Sequence, residues 1–83
     1  MLDPEAPQAI LVVDDEPGVR QGIAQVLKDQ GHAVSTAADG NEALTSMREA
    51  APNLVLLDVR LPDLDGIELL KIIRRDHPET GVI

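Results

Sequence analysis

Two apolar runs in this chain end in acid. Ile10-Leu11-Val12-Val13 passes straight into Asp14-Asp15, and Leu54-Val55-Leu56-Leu57 passes straight into Asp58. Each run is short, continuous and rich in branched aliphatic residues, the pattern of a strand buried on both faces. An open parallel sheet puts its chemistry in the crevice beyond the carboxyl ends of its strands. If the two runs are parallel neighbours, Asp14, Asp15 and Asp58 converge there. Crowded carboxylates repel, so an offsetting charge is expected. A hard divalent cation with oxygen ligands is the usual answer, and Mg²⁺ suits phosphate chemistry best.

The rest of the chain alternates around these runs. Glu16-Pro17 opens a helix, with proline tolerated at the first helical position. Val19, Ile23, Val26 and Leu27 form an apolar stripe along it. Gly31 closes it as a residue that accepts positive φ. A weaker strand, His32 to Thr36, reads as an edge. Asp39-Gly40 is a turn signal. A second helix follows over about 41–50, with Ala43, Leu44 and Met47 inside, and Pro52 ends it. The third strand runs from Leu54 to Asp58, then a loop to Gly66. A third helix covers about 66–76, with Ile67, Leu70 and Ile73 expected inside and Leu69 as a further candidate. His77-Pro78 stops that helix, and Gly81-Val82-Ile83 starts a fourth strand. This is an α/β pattern, a doubly wound parallel sheet with helices on both faces. Residues 1–8 read as a flexible lead-in and 9–83 as the folded part.

Composition narrows the function. The chain has 83 residues, enough for one small domain. With no Phe, Tyr or Trp, its core is aliphatic. Net charge is −8, from 7 basic and 15 acidic residues, which opposes nucleic-acid binding by this segment. No cysteine is present, so thiol catalysis and thiolate zinc sites are excluded. The N-terminus lacks the basic and apolar regions of a secretion signal. No apolar run approaches the roughly 20 residues that span a bilayer. A soluble cytoplasmic protein is expected.

The residues resemble a response-regulator receiver domain of two-component signalling. The resemblance lies in Leu11-Val12-Val13-Asp14-Asp15-Glu16, and in Leu57-Asp58-Val59-Arg60-Leu61-Pro62-Asp63-Leu64-Asp65-Gly66 at the family's separation. Ala38-Asp39-Gly40 with Glu42-Ala43-Leu44 also fits, as does the helix Ile67 to Arg74. Together these cover about residues 9 to 83. The resemblance implies a flavodoxin-like sheet of strand order 2-1-3-4-5. It implies that Asp58 accepts a phosphoryl group from a sensor histidine kinase, that Asp15, Asp58 and the backbone carbonyl of Arg60 ligate Mg²⁺, and that Asp14 acts through a metal-bound water or the surrounding shell. It also implies a Ser/Thr after the fourth strand and a Lys after the fifth, both past Ile83. The chain therefore reads as the first part of a receiver, with its output domain or partner beyond Ile83. With neighbours of the third strand missing, 83 residues alone are expected to leave Leu54–Leu57 at or next to an open edge and to be either poorly folded or self-associated rather than a stable monomer.

Plainer readings stand beside these. Asp14 and Asp15 would also serve as helix caps, and Asp58 alone could be a loop acid. Asp63 and Asp65 are expected as turn and N-cap residues of the third helix rather than ligands. The Arg60 side chain is expected in solvent. His32 and His77 are isolated, and Lys71, Arg74 and Arg75 suit a solvated helix face. Two other functions fit the residues: a Mg²⁺-dependent aspartyl phosphohydrolase, and a receiver-like interaction module that takes no phosphate. The adjacency of Asp14 and Asp15 counts against the first, which would use an Asp-x-Asp motif. The intact acidic triad counts against the second.

Overall fold

Strands and helices alternate along the chain as β1 (Ala9–Val13), α1 (Pro17–Asp29), β2 (Ala33–Ala37), α2 (Gly40–Glu49), β3 (Leu54–Leu57), α3 (Gly66–Asp76) and β4 (Gly81–Val82). They come from a computed structural model that describes residues 7–58 and 60–83. Most of the expected lead-in, residues 1–6, and Val59 of the expected loop lie outside those residues. Gln8 is already tied to the sheet: its N–H donates to His32 Nδ1 at 3.0 Å, and its carbonyl accepts from the Ala33 N–H at 2.9 Å.

All strands pair in parallel, in the order β2-β1-β3-β4. This is the expected doubly wound arrangement. β3 is interior, because β4 lies along it. The Gly81 N–H donates to Asn53 O and the Ile83 N–H to Val55 O, each at 2.9 Å. Leu54–Leu57 are thus next to the edge, one strand in.

Period-two alternation sends side chains to both faces. Leu11, Val13 and Val55 meet Ala43 and Met47 of α2 and Leu69 and Ile73 of α3 in one buried cluster. Ile10 and Val12 are buried on the other side, where Val12 and Leu56 share a groove with Val19 and Ile23 of α1.

The helix faces depart from expectation in two places. On α1, Ala24 is buried and Ile23 and Leu27 half-buried, but Val19 is 47 % and Val26 60 % exposed. At about 100° per residue, the inward face centres between Ile23, Leu27 and Ala24, roughly a quarter turn from Val19 and Val26. On α3, Leu69 and Ile73 are fully buried while Ile67 is 50 % exposed. Gly66, Leu69 and Ile73 set that face, and Ile67 is carried away from it.

Truncating the two α3 positions separates these roles. Leu69→Ala should lower unfolding free energy by about 2–5 kcal/mol, as for a large-to-small core change, and Ile67→Ala by under about 1 kcal/mol. Urea denaturation followed by far-ultraviolet circular dichroism measures both. Equal losses would show that the inward face of α3 is misassigned.

Candidate functional site

Strand register brings the acids together. Val13 pairs with Leu57, and the ladder runs one step further, the Asp58 N–H donating to Val13 O at 2.9 Å. Toward β2, the Asp14 N–H donates to Ala37 O at 3.1 Å. The sheet's own hydrogen bonds thus carry Asp14 and Asp58 to one edge, on strands about 4.8 Å apart. Asp15 follows in the turn into α1. One carboxylate oxygen from each of Asp14, Asp15 and Asp58 lies within 4.8 Å of the others.

Local turns orient these groups. Asp14 Oδ1 accepts from the Glu16 N–H at 2.9 Å, and Asp58 Oδ1 from the Arg60 N–H at 2.9 Å. Both are Asx turns, in which the side chain bonds its own backbone two residues on. Asp14 and Asp58 are half-buried and Asp15 is exposed. Arg20, reaching back from α1, donates from Nη1 to the Asp14 carbonyl at 2.9 Å. Nothing in the linear sequence signals that contact. Arg60 is exposed, as expected, and borders the same groove as Val12 and Leu56.

Charge at this edge is unbalanced. Ion pairs among the described residues are Lys71 with Glu68 and Arg75 with Asp76, all on α3. Three carboxylates with hard oxygen donors, clustered at one strand edge, can hold a small divalent cation. Neither histidine belongs to the cluster. His32 precedes β2 and His77 follows α3, so both lie toward the opposite end of the parallel strands.

The loop before α3 holds a correction. Asp65 caps α3 as expected, its Oδ1 accepting from the Ile67 N–H at 2.8 Å. Asp63 does not serve α3. Its Oδ1 accepts from the Gly40 N–H at 2.8 Å and its Oδ2 from the Asn41 N–H at 3.0 Å. Both donors belong to the first turn of α2, where N–H groups lack helical partners. Asp39 completes that end, accepting from the Glu42 N–H at 2.8 Å.

These bonds, the Gly40 one foremost, hold the Asp63 carboxyl below its ordinary value of 3.8. The folded chain therefore binds this proton more weakly than the unfolded chain. The stabilisation is complete above the ordinary value and fades as pH falls below it through the depressed folded value. Asp63→Asn should accordingly lose less melting temperature than the unsubstituted protein between about pH 6 and about pH 3. Parallel losses in thermal melts would remove Asp63 from the acid response.

Comparison with known proteins agrees with this architecture. A model of the response regulator receiver domain matches residues 10–83. The nitrogen assimilation regulatory protein NtrX of Azorhizobium caulinodans is 46 % identical over 76 residues, which cover 89 % of this chain and 17 % of NtrX. The DNA-binding response regulator MtrA of Mycolicibacterium smegmatis is 44 % identical over 69 residues, 83 % of this chain and 30 % of MtrA. This chain therefore spans less than a third of either curated relative. A crystal structure of the response regulator TrrA of Thermotoga maritima, in complex with Mg²⁺-BeF, superposes with a TM-score of 0.85 at 35 % identity, covering 90 % of this chain and 65 % of TrrA.

Proposed function

The chain belongs to the response regulator receiver domain family, and from that membership we propose that it is the phosphoacceptor module of a two-component relay. The observation that carries the proposal is the convergence of Asp14, Asp15 and Asp58, with ligand atoms within 4.8 Å, beyond adjacent parallel strands. Asp58 is the acceptor. A carboxylate oxygen of Asp58 attacks phosphorus, the P–N bond of a kinase phosphohistidine breaks, and an acyl phosphate forms as imidazole leaves.

Mg²⁺ fits the donor set. Asp15 and Asp58 would hold it directly, with the Arg60 carbonyl as a third protein oxygen and Asp14 acting through a bound water. Asp14 and Asp58 each commit Oδ1 to a backbone N–H, which orients the carboxylate and leaves its second oxygen for other work. When bound, the ion offsets charge on the carboxylates and on the incoming phosphoryl group. The complex of TrrA with Mg²⁺-BeF supports this choice of metal by relationship.

The partners in this reading are a sensor histidine kinase and an output domain or partner protein beyond Ile83. The name of MtrA supports a transcriptional output. The domain is a signalling switch rather than a turnover enzyme, although it takes part in its own phosphorylation and dephosphorylation. Among the described residues no helix is long and apolar enough to cross a membrane, and we place the protein in the cytoplasm. The phosphohydrolase and phosphate-free interaction-module readings are not favoured by the family match.

Acetyl phosphate with Mg²⁺ should label the full-length protein at Asp58 alone, and hydroxylamine should release the label. Asp15→Ala should cut labelling by at least about 100-fold, as expected for loss of a direct metal ligand. Mass spectrometry showing a retained label in Asp58→Asn would refute the assignment.

Self-association of the 83 residues is proposed on separate grounds. Val12, Ile23 and Leu56 line an apolar groove, and Val19 beside them is 47 % exposed. Sedimentation should show dimers or larger species at high concentration. A monomer with a cooperative melt would contradict the idea.

A further inference from the structure

We propose that Asp63 is a positioning residue for the metal and phosphoacceptor site, acting by pinning the 60–65 loop to the N-terminus of α2. The proposal rests on the reading of Asp14, Asp15, Asp58 and Arg60 given above, and deepens it.

The proposed ligands have two kinds of support. Sheet hydrogen bonds deliver Asp14 and Asp58, and Asp15 adjoins Asp14. The Arg60 carbonyl stands on no strand and no helix. Its loop is held at the near end by the Arg60 N–H on Asp58 Oδ1, and at the far end by the Asp65 cap on α3. Between those ends Asp63 uses both carboxylate oxygens, one on each of two adjacent N–H groups. Two bonds to one side chain restrict rotation as well as translation.

The body it grips is rigid. Ala43 and Met47 anchor α2 in the buried cluster. The grip is also close. Gly40 is buried, and a Cβ placed on it would lie 2.7 Å from Leu64 Cβ and 3.3 Å from Asp63 Oδ1. The loop is therefore seated on bare backbone, which only glycine presents. Leu61 and Leu64 pack against the core on either side of Asp63. Pro62, with its fixed φ, joins Leu61 to Asp63, so displacement at Asp63 reaches Arg60 through a stiff connection. A carboxylate suits the task because the helix N-terminus carries partial positive charge. Asp63 touches neither metal nor phosphoryl group in this account, so its effect passes through the Arg60 carbonyl.

Asp39 supplies the control. It caps the same helix end through Glu42 but does not belong to the 60–65 loop. Mg²⁺ affinity is measured by calorimetry, and by backbone NMR with the Gly40 and Asn41 amides as reporters. Asp63→Ala should raise the Mg²⁺ dissociation constant about tenfold, the lower end of what supporting partners of a metal site contribute. Asp39→Ala should leave it unchanged. Mg²⁺ should shift the Gly40 and Asn41 amides in the unsubstituted chain and cease to do so in Asp63→Ala. Should Asp63→Ala fail to fold, Asp63→Asn carries the same comparison. It keeps one acceptor oxygen and should show a smaller loss of affinity. Full affinity in the Asp63 variants, beside normal binding by the unsubstituted chain, would overturn the positioning role alone. Equal losses in Asp63→Ala and Asp39→Ala would also overturn it, since the effect would then follow the stability of α2. No Mg²⁺ binding by the unsubstituted chain would overturn the metal site itself, and this proposal with it.

Discussion

The pairing of Val13 with Leu57 is the contact on which the candidate site depends. It sets Asp58 beside Asp14 at the carboxyl edge of the sheet. Sliding β3 by one residue would move Asp58 about 3.3 Å along the strand and turn its side chain to the other face. The face that carries α2 and α3 is covered, and Leu57 packs against it, so a slip that put Asp58 in the place of Leu57 would drag a carboxylate between the sheet and a helix. An unpaired buried charge costs several kcal/mol even after relaxation. The acids therefore help to set the register that assembles them. Aliphatic residues make the strands, and the first charged residue marks where each strand must emerge.

That arrangement leaves a concentrated negative charge. The ion pairs among the described residues lie on α3, and the guanidinium that reaches the edge, from Arg20, bonds the Asp14 carbonyl rather than a carboxylate. Arg20 thus fixes the backbone that carries two of the acids. A cation that binds the folded edge and not the unfolded chain would add to stability by mass action. The same charge density that costs stability in isolation would attract such a cation.

Much of this was legible in the sequence, for a definite reason. Continuous aliphatic runs closed by Asp14-Asp15 and Asp58 report a buried parallel strand and its end at once, so topology and site followed together. The receiver resemblance rested on the same residues, and the family match agrees. Helix faces were less legible. On α1 the apolar residues spread over a wider arc than the sheet covers, and small Ala24 rather than Val19 or Val26 faces inward. On α3, Ile67 and Leu69 are equally apolar, and packing alone separates them. Asp63 was illegible as a tether, because its partners lie 22 and 23 residues earlier in the chain. A local turn role was the natural expectation for an acid beside Pro62 and Leu64.

The site therefore combines two mechanical supports. Asp14 and Asp58 sit on a ladder of hydrogen bonds between buried strands, the part of a fold that opens least readily. Arg60 sits on an exposed turn, held by a few side-chain bonds and by two half-buried leucines. Phosphoryl transfer needs fixed charges around the acceptor, and a switch needs some element that can settle in a second arrangement. The strand-borne acids meet the first demand, and the hydrogen bonds of the 60–65 loop, through Asp63 to Gly40 and Asn41, tie its backbone to α2.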